Sequence, residues 1–251
     1  MRHVFRYLVS EAPREGDTVA LSEEDTRHLV RVVRRGPGDR LELTDGAGRL
    51  WPATVIATGP PATVRVEAPR PAPAPAPVVL YQGLIEGNRL DLVVEKAAEL
   101  GVARVVLVTA ERGRRTPAPE AAARRLDRLR RLAGAAARQA GHGHLLEVEG
   151  LVPFGDALDE VRPAGGYLID ARGEVALTDA LGRGPASPAA LFVGPEAGFS
   201  EAELGAARDA GLAACRLGPV TLRAETAALV AMSLALGASG RFAETGEGAP
   251  H

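Results

Sequence analysis

The chain is short of cysteine and of long apolar runs, and each shortage excludes a class of structure. Cys215 is the only cysteine among 251 residues, so an internal disulfide is impossible, and we interpret it as a small apolar strand residue. No apolar run reaches the roughly 18 residues needed to span a bilayer. Met1 is followed by Arg2 and polar residues without an apolar signal core. We therefore expect a cytoplasmic protein that has no membrane partner.

Several common ligand motifs are also missing. Neither GxGxxG nor GxxxxGK followed by Ser or Thr occurs, so a dinucleotide or P-loop phosphate site is not expected. No cluster of His, Cys or carboxylate residues has metal-ligand spacing. We therefore expect no metal cofactor.

The net charge of -2 argues against a uniformly basic nucleic-acid-binding protein, but positive charge is concentrated in one stretch. Between residues 104 and 138, ten arginines stand against three acidic residues, a local excess of +7. Such a stretch can neutralise phosphates. However, 29 of the 30 basic residues are arginine, Lys96 being the exception, so a codon bias explains the cluster equally well.

Proline and alanine alternate in residues 69–77 (PRPAPAPAP), which predicts an extended linker that forms neither helix nor ladder pairs. The residues before it read as short β-rich runs and one helix that begins near Ser22, which predicts a small β-barrel. The residues after it alternate strand and helix patterns, which predicts a parallel α/β sheet. The expected organisation is therefore a barrel at 1–70, a linker at 71–77, an α/β domain at 78–239 and a loose tail at 240–251.

The pattern of apolar residues predicts bounds for five strands and two helices of the α/β domain. Strands are predicted at 78–85, 102–110, 167–170, 191–194 and 212–218, and helices at 89–101 and 119–140.

Two successive strand-to-helix loops are rich in glycine and proline. The first is LFVGPEAGFSEAEL (191–204), in which Ser200 and Glu203 have capping-box spacing, and the second is LGPVTLRAETAAL (217–229). Ligands of open parallel sheets bind beyond the carboxyl ends of the strands. We therefore expect the two loops to form one pocket.

The second loop places Arg223 and Glu225 where a strand end meets an almost wholly apolar helix. Buried charge is destabilising unless it is paired, so two interpretations stay open. Arg223 and Glu225 form a buried ion pair that holds the loop, or Arg223 faces a substrate.

LFVGPEAGFS together with LGPVTLRAETAAL resembles the paired GPEGG and LGxxILRxETA motifs of the RsmE family, SPOUT-class methyltransferases that modify a small-subunit ribosomal RNA uridine at N3. EGNRLDLVVEKAAELGV, AAARQAGH and HLVRVVRRGPGD are similar to further family segments in the same order. The resemblance therefore extends over most of the chain.

The resemblance implies a PUA-like RNA-binding β-barrel followed by an α/β domain with a deep trefoil knot. It also implies a homodimer that binds S-adenosylmethionine and acts on 16S ribosomal RNA of the small ribosomal subunit. Carried over residue by residue, the implied cofactor pocket consists of Ile169, Gly194, Glu196, Gly198, Leu217, Gly218, Leu222, Arg223, Thr226 and Ala227.

Catalytic and RNA-binding roles follow from the same resemblance. Uridine N3 must lose a proton before it accepts a methyl group, so we expect Arg223 to stabilise the resulting anion and Glu225 to orient Arg223. The expected RNA contacts are Arg2, Arg6, Arg31, Arg34, Arg112, Arg114, Arg115 and Arg138. Residues 1–70 hold ten acids beside eleven arginines, so a neutral barrel surface is the competing interpretation.

The chain departs from the family pattern at Glu86, Glu95, Ala197, Arg138 and His142. Two alternatives therefore stay open. The chain methylates a different RNA, or it is an RNA-binding or ribosome-assembly factor without catalytic activity.

Overall fold

The structure is a computed structural model that describes residues 5–162, 164–182 and 189–243. Arg2 and residues 244–251 of the predicted tail lie outside this part of the chain. The chain divides into two compact units. The first consists of residues up to Ala74 together with Ala137–Leu145, and the second of Pro75–Ala136 and the described residues from Leu146 onward.

The first unit is a six-stranded sheet with one short helix. Its elements are β1 (Arg6–Leu8), β2 (Thr18–Ala20), α1 (Glu23–Arg27), β3 (Arg40–Thr44), β4 (Arg49–Ala57), β5 (Thr63–Val66) and β6 (Arg70–Pro71). The strand order is β1-β3-β4-β5-β2, and β6 pairs with β4. Tyr7, Leu43 and Trp51 are buried in its core. The β-rich runs predicted at 18–22, 39–46, 49–57 and 63–68 correspond to β2, β3, β4 and β5, whereas β1 and β6 were not predicted.

The pattern predicts a helix from about Ser22 through HLVRVVRR, which ends at residue 35. Its start is confirmed, but its end differs. The Ser22 hydroxyl accepts a hydrogen bond from the Asp25 backbone N–H at 3.0 Å, as expected of an N-cap. The backbone then widens into a π-helical segment at His28–Val32. Arg34 has a φ of 53°, a left-handed conformation that no α-helix continues.

The prediction that residues 69–77 form no ladder pairs is wrong at both ends. Leu50 pairs with Arg70 and Arg49 with Pro71, while Ala76 pairs with Val102 in the second unit. Proline lacks only the N–H, so it is compatible with an edge position where its carbonyl alone is needed.

The second unit is a seven-stranded sheet with helices. Its elements are β7 (Ala76–Gly83), α2 (Arg89–Leu100), β8 (Val102–Thr109), α3 (Pro119–Ala140), β9 (Glu147–Pro153), α4 (Phe154–Val161), β10 (Gly166–Ile169), β11 (Val175–Ala176), α5 (Leu177–Leu181), β12 (Ala189–Val193), α6 (Glu201–Asp209), β13 (Leu212–Arg216) and α7 (Ala224–Ala238). The carboxyl end of α3 belongs to the first unit.

All strand pairs of this sheet are parallel, in the order β11-β13-β10-β12-β7-β8-β9. The parallel α/β sheet predicted from the sequence rhythm is therefore confirmed. β9, α4, β11 and α5 were not predicted. The trefoil knot implied by the resemblance stays a prediction.

Helices cover the sheet and bury its apolar strands. Tyr81 stacks on Phe192 at 4.3 Å between ring centroids, and both lie in a core cluster with residues of α4 and α6. α7 packs on α2, β7 and β12, and Ala228, Ala231 and Met232 are fully buried. No helix in the described part of the chain is long and apolar enough to cross a membrane.

Candidate active site

Three loops of the second unit meet at one edge of its sheet. β10, β12 and β13 are adjacent and parallel, so their carboxyl ends lie together. The loops that follow them enclose a cavity of about 690 Å³, which we call the loop cavity. Of the predicted cofactor residues, those that line it are Ile169, Gly194, Glu196, Gly198, Leu217, Gly218, Leu222, Arg223 and Ala227.

One predicted cofactor residue is placed elsewhere. Thr226 is exposed on the first turn of α7 and does not line the loop cavity.

Glycine is required at several points of the cavity wall. Gly198 has a φ of 70° and Gly218 a φ of 145°, conformations that other residues rarely adopt. At Gly194 a Cβ atom would lie 3.3 Å from the Gly198 backbone. Ala197, which stands where the family motif has glycine, has no positive φ, so alanine fits there without backbone strain.

Glu196 connects the loop after β12 to the start of α2. Its Oε1 accepts hydrogen bonds from the Glu86 backbone N–H at 2.8 Å and from Arg89 Nη1 at 3.2 Å. Desolvation raises the pKa of Glu196, but these hydrogen bonds and the nearby guanidinium groups outweigh it and hold the pKa below its usual range. Glu196 therefore stays ionised and fixes the position of Arg89.

The predicted ion pair between Arg223 and Glu225 does not form. Arg223 is exposed at the N-cap of α7 and lines the loop cavity. Glu225 is buried, with 8% of its surface exposed. Its ion-pair partner among the described residues is Arg89, whose Nε lies 3.9 Å from Glu225 Oε1. Arg223 reaches solvent because it precedes the helix, whereas Glu225 begins the buried face.

Arg89 is the site residue that sequence reasoning missed. It lines the loop cavity and also a second pocket of about 440 Å³, the Glu225 pocket, in which Asn88 and Glu225 are neighbours. The signal was present in EGNRLDL, a third strand-to-helix junction after β7. The resemblance to the family extends over this junction but assigns it no site residue.

Asp170 and Arg172 also line the loop cavity and were not predicted. Hydrogen bonds from the Arg172 side chain, at 3.1 Å, hold the pKa of Asp170 below its usual range. The pair stabilises the turn after β10.

The predicted RNA contacts are distributed over both units. In the first, Arg6 pairs with buried Glu42 at 2.6 Å, Arg31 lines a groove of about 640 Å³, Arg34 is exposed and Arg138 is half-buried. In the second, Arg112 lines the loop cavity, Arg114 pairs with Glu86 at 2.6 Å and Arg115 is exposed.

Within the described ranges no group of three or more His, Cys, Asp or Glu residues is placed to hold a metal ion.

Comparisons with known families match both units. The family described as RNA methyltransferase domain matches residues 72–236, and the family described as RNA methyltransferase PUA domain matches residues 21–67.

Named relatives agree with these matches. The chain is 31% identical to the ribosomal RNA small subunit methyltransferase E of Mycobacterium bovis, over 90% of the chain and 88% of that protein. It is 24% identical to the protein of the same name from Bacillus subtilis, over 93% of the chain and 95% of that protein.

Solved structures resemble most of the chain. The ribosomal RNA small subunit methyltransferase E from Neisseria gonorrhoeae, bound to S-adenosylmethionine, has a TM-score of 0.83 at 29% identity and covers 94% of this chain and 98% of that one. A second structure with bound S-adenosylmethionine, from Legionella pneumophila, has a TM-score of 0.82 at 26% identity with the same coverage.

Proposed function

The chain belongs to the ribosomal RNA small subunit methyltransferase E family of RNA methyltransferases, and on that basis we propose its reaction. It transfers the methyl group of S-adenosylmethionine to N3 of a uridine in 16S ribosomal RNA. A ribosomal RNA substrate places this activity in the cytoplasm.

The observation that carries the proposal is the loop cavity. Its volume of about 690 Å³ lies within the roughly 300–1,000 Å³ typical of small-molecule sites. Glycines at 194, 198 and 218 line the cavity without side chains, so a ligand can approach the backbone closely there, while Ile169, Leu217 and Leu222 offer apolar surface. Such a wall fits an adenosine moiety, which needs hydrogen bonds from the backbone and an apolar slot for its ring.

The bound cofactor would supply an activated methyl group on a positively charged sulfur. The chain's residues would bind it and position the nucleobase, since alignment of the reacting atoms provides much of the rate enhancement. The exposed Arg223 at the cavity wall would stabilise the negative charge that spreads onto the uracil carbonyl oxygens.

Substitution of Arg223 tests the electrostatic role. We expect Arg223→Ala to lower the turnover number about 10²- to 10³-fold, as loss of one anion-stabilising group does. Radiolabelled methyl transfer into small-subunit RNA measures this effect. Arg208→Ala, which changes another exposed arginine of the same unit that does not line the loop cavity, is the matched control and should keep most of the activity. Unchanged turnover in a folded Arg223→Ala variant would remove Arg223 from the mechanism.

The substrate assignment is tested by mass analysis of ribosomal RNA. Nuclease fragments of 16S RNA from a strain lacking the gene should lack one N3-methyluridine that the parent strain carries, and the gene should restore it. A missing methyl group in another RNA would identify a different substrate. An unchanged modification pattern, with no cofactor binding by calorimetry, would indicate an RNA-binding factor instead.

We also propose the assembly and domain roles that the family implies. The chain acts as a homodimer, residues 1–70 bind RNA and residues 78–239 carry out catalysis, joined by 71–77. Light scattering on the purified chain measures the subunit number, and a monomer at micromolar concentration would contradict the dimer.

A further inference from the structure

Three arginines of the second unit lie close together and have two carboxylates between them. They are Arg114, Arg125 and Arg128, which we call the arginine cluster. Arg128 donates from both Nη atoms to Asp91 on α2, and Arg114 pairs with Glu86 at 2.6 Å. Arg125 forms no ion pair with any described carboxylate. The cluster therefore carries one positive charge in excess.

Arg125 is the member whose charge is least compensated. Its Nη2 donates to the Ile85 carbonyl at 3.2 Å, which leaves further N–H donors of the guanidinium unused among the described residues. The side chain is half-buried, and burial lowers its pKa. The charges of Arg128 and Arg114 lower that pKa further, against the opposing effect of Asp91. An anion beside Arg125 would relieve this repulsion.

The arginine cluster is open to solvent and suits one kind of anion. The side chains of Arg114 and Arg128 are each 49% exposed, and Arg125 is partly exposed between α3 and the loop after β7. A guanidinium offers a planar fork of donors that matches phosphate oxygens. A phosphodiester carries one negative charge, which equals the excess of the cluster.

The cluster lies beside the candidate active site without being part of it. Glu86, which Arg114 contacts, lines the Glu225 pocket, and its backbone N–H is bound by Glu196 of the loop cavity. Arg125 lines neither the Glu225 pocket nor the loop cavity. A phosphate bound at Arg125 would therefore adjoin the site and leave the place proposed for the cofactor free.

We propose that Arg125 binds a backbone phosphate of the RNA substrate, supported by the neighbouring charges of Arg114 and Arg128. This inference rests on the proposed function and adds a contact on the catalytic unit that positions the strand without reading a base. The resemblance implied Arg114 as an RNA contact and gave Arg125 no role. The ion pairs favour Arg125, because the guanidinium of Arg114 already has a carboxylate partner.

Arg125→Gln tests the contact because it removes the charge and keeps a polar side chain. Fluorescence anisotropy with a labelled single-stranded RNA at several salt concentrations measures Kd. We expect the slope of log Kd against log salt concentration to decrease by about 0.7, the contribution of one phosphate contact to a single strand. At about 0.1 M salt this corresponds to a Kd about fivefold higher. Arg125→Lys retains the charge and should recover most of the slope.

The loss should not depend on base identity or on the cofactor. Replacing uridine by cytidine in the RNA should leave the ratio of variant to wild-type Kd unchanged, because a phosphate contact carries no sequence information. In methylation assays the KM for RNA should rise about fivefold, while kcat changes less than about twofold, as expected when uniform binding is lost. The affinity for S-adenosylmethionine, measured by calorimetry, should stay the same.

Arg131→Gln is the matched control. Arg131 is exposed on the same helix, where its Nε donates to the Asp127 carbonyl one turn earlier. Its removal takes the same charge from α3 and should leave the salt slope at the wild-type value. Equal decreases in Arg125→Gln and Arg131→Gln would show a diffuse positive field along α3 and would overturn the assigned contact.

Thermal stability separates RNA binding from a structural role of Arg125. Removal of its charge also removes the repulsion from Arg128 and Arg114, so we expect Arg125→Gln to change the melting temperature by less than about 2 °C. A variant that melts lower and keeps the wild-type salt slope would assign Arg125 to the fold and contradict the proposal.

Inorganic phosphate distinguishes an RNA phosphate from a free one. At matched ionic strength it should displace RNA from the wild-type chain no better than chloride does. Stronger displacement that is absent in Arg125→Gln would assign the site to a free anion and overturn the RNA contact.

The outcomes also separate this inference from the proposed function. A wild-type chain that methylates uridine N3, with an unchanged salt slope in Arg125→Gln, would overturn the phosphate contact alone. A wild-type chain that binds neither RNA nor S-adenosylmethionine would overturn both.

Discussion

At the scale of single residues, Gly83 shows how little space separates β7 from the loop after β12. A Cβ atom at this position would lie 2.6 Å from the Pro195 nitrogen and 2.9 Å from the Gly194 carbonyl carbon. Backbone atoms cannot rotate away as a side chain can, so the loop itself would have to shift.

We therefore expect Gly83→Ala to lower the free energy of unfolding by about 1–3 kcal/mol and to weaken S-adenosylmethionine binding. Urea denaturation and calorimetry measure the two effects. Gly205→Ala is the matched control. Nothing lies within 4 Å of its added Cβ in the interior of α6, so it should raise the free energy of unfolding by about 0.5–1 kcal/mol. Equal stability of the two variants would contradict the close approach at Gly83.

Cys215 provides a chemical probe of β13, the strand that precedes the loop at 217–223. The residue is fully buried, and desolvation raises the pKa of its thiol to about 11. At pH 8 only about one molecule in a thousand would carry the reactive thiolate.

We expect the native chain to react with Ellman's reagent at least about 100-fold more slowly than the chain in 8 M urea, where the thiol regains a pKa of about 8.5. The absorbance of the released thiolate measures the rate. Rapid reaction of the native chain would show that β13 opens readily, against the burial described here.

The residue types in the two glycine-rich loops predicted most of the wall of the loop cavity. They did not predict which ion pairs form beside it. Glycine, proline and apolar residues at strand ends identified the wall, because those residue types restrict backbone conformation locally. The partner of Glu225 depends on how α2 packs against α7, a contact between residues more than a hundred positions apart. Spacing along the chain favoured Arg223, whereas the fold brings Arg89 close.

At the scale of secondary-structure elements, the capping box formed by Ser200 and Glu203 joins the loop after β12 to α6. The Ser200 hydroxyl accepts the Glu203 backbone N–H at 3.1 Å, and Glu203 Oε2 accepts the Ser200 N–H at 2.8 Å. Glu203 Oε1 also accepts the Glu111 backbone N–H at 2.8 Å, which attaches the loop after β8.

Ser200→Ala should lower the free energy of unfolding by about 1 kcal/mol, within the range of 0.5–2 kcal/mol for a lost N-cap. Urea denaturation measures the change. Ser233→Ala removes a hydroxyl that donates to the Leu229 carbonyl within α7 and should change the free energy of unfolding by less than about 0.5 kcal/mol. Equal losses in both variants would argue against a capping role for Ser200.

The long periodic helix α3 was predicted at its full length, whereas several shorter elements were missed. α3 spans the 119–140 predicted for it, because a 22-residue amphipathic pattern is hard to mistake. β9 contains Gly150 between Glu149 and Leu151, and glycine weakens the strand signal. β11 has two residues, which is too short for any periodicity.

At the scale of the whole molecule, cofactor binding and folding are linked. A ligand that binds only the folded state stabilises it by about 2.7 kcal/mol at a concentration of 100 Kd. We expect S-adenosylmethionine to raise the melting temperature progressively with its concentration, by several degrees for a domain of this size. Differential scanning calorimetry measures the shift. Arg115→Ala should keep it, and a melting temperature independent of S-adenosylmethionine would contradict binding in the loop cavity.

The sequence predicted the type of sheet in the second unit but not the order of its strands. Alternating strand and helix patterns predict a parallel sheet, since such connections place neighbouring strands in the same direction. They do not specify that β12 lies between β7 and β10. Strand order depends on how the apolar strands pack against one another, and a local sequence pattern does not contain that information.

The position of β12 has a consequence for the chain as it is made. Gln82 of β7 pairs with Val193 of β12, 111 positions later. A ribosome adding about 5–20 residues per second would need roughly 5–20 s to reach that partner. Throughout this interval one edge of β7, an interior strand of the future sheet, stays open on the nascent chain, where chaperones can bind and where two neighbouring nascent chains can associate.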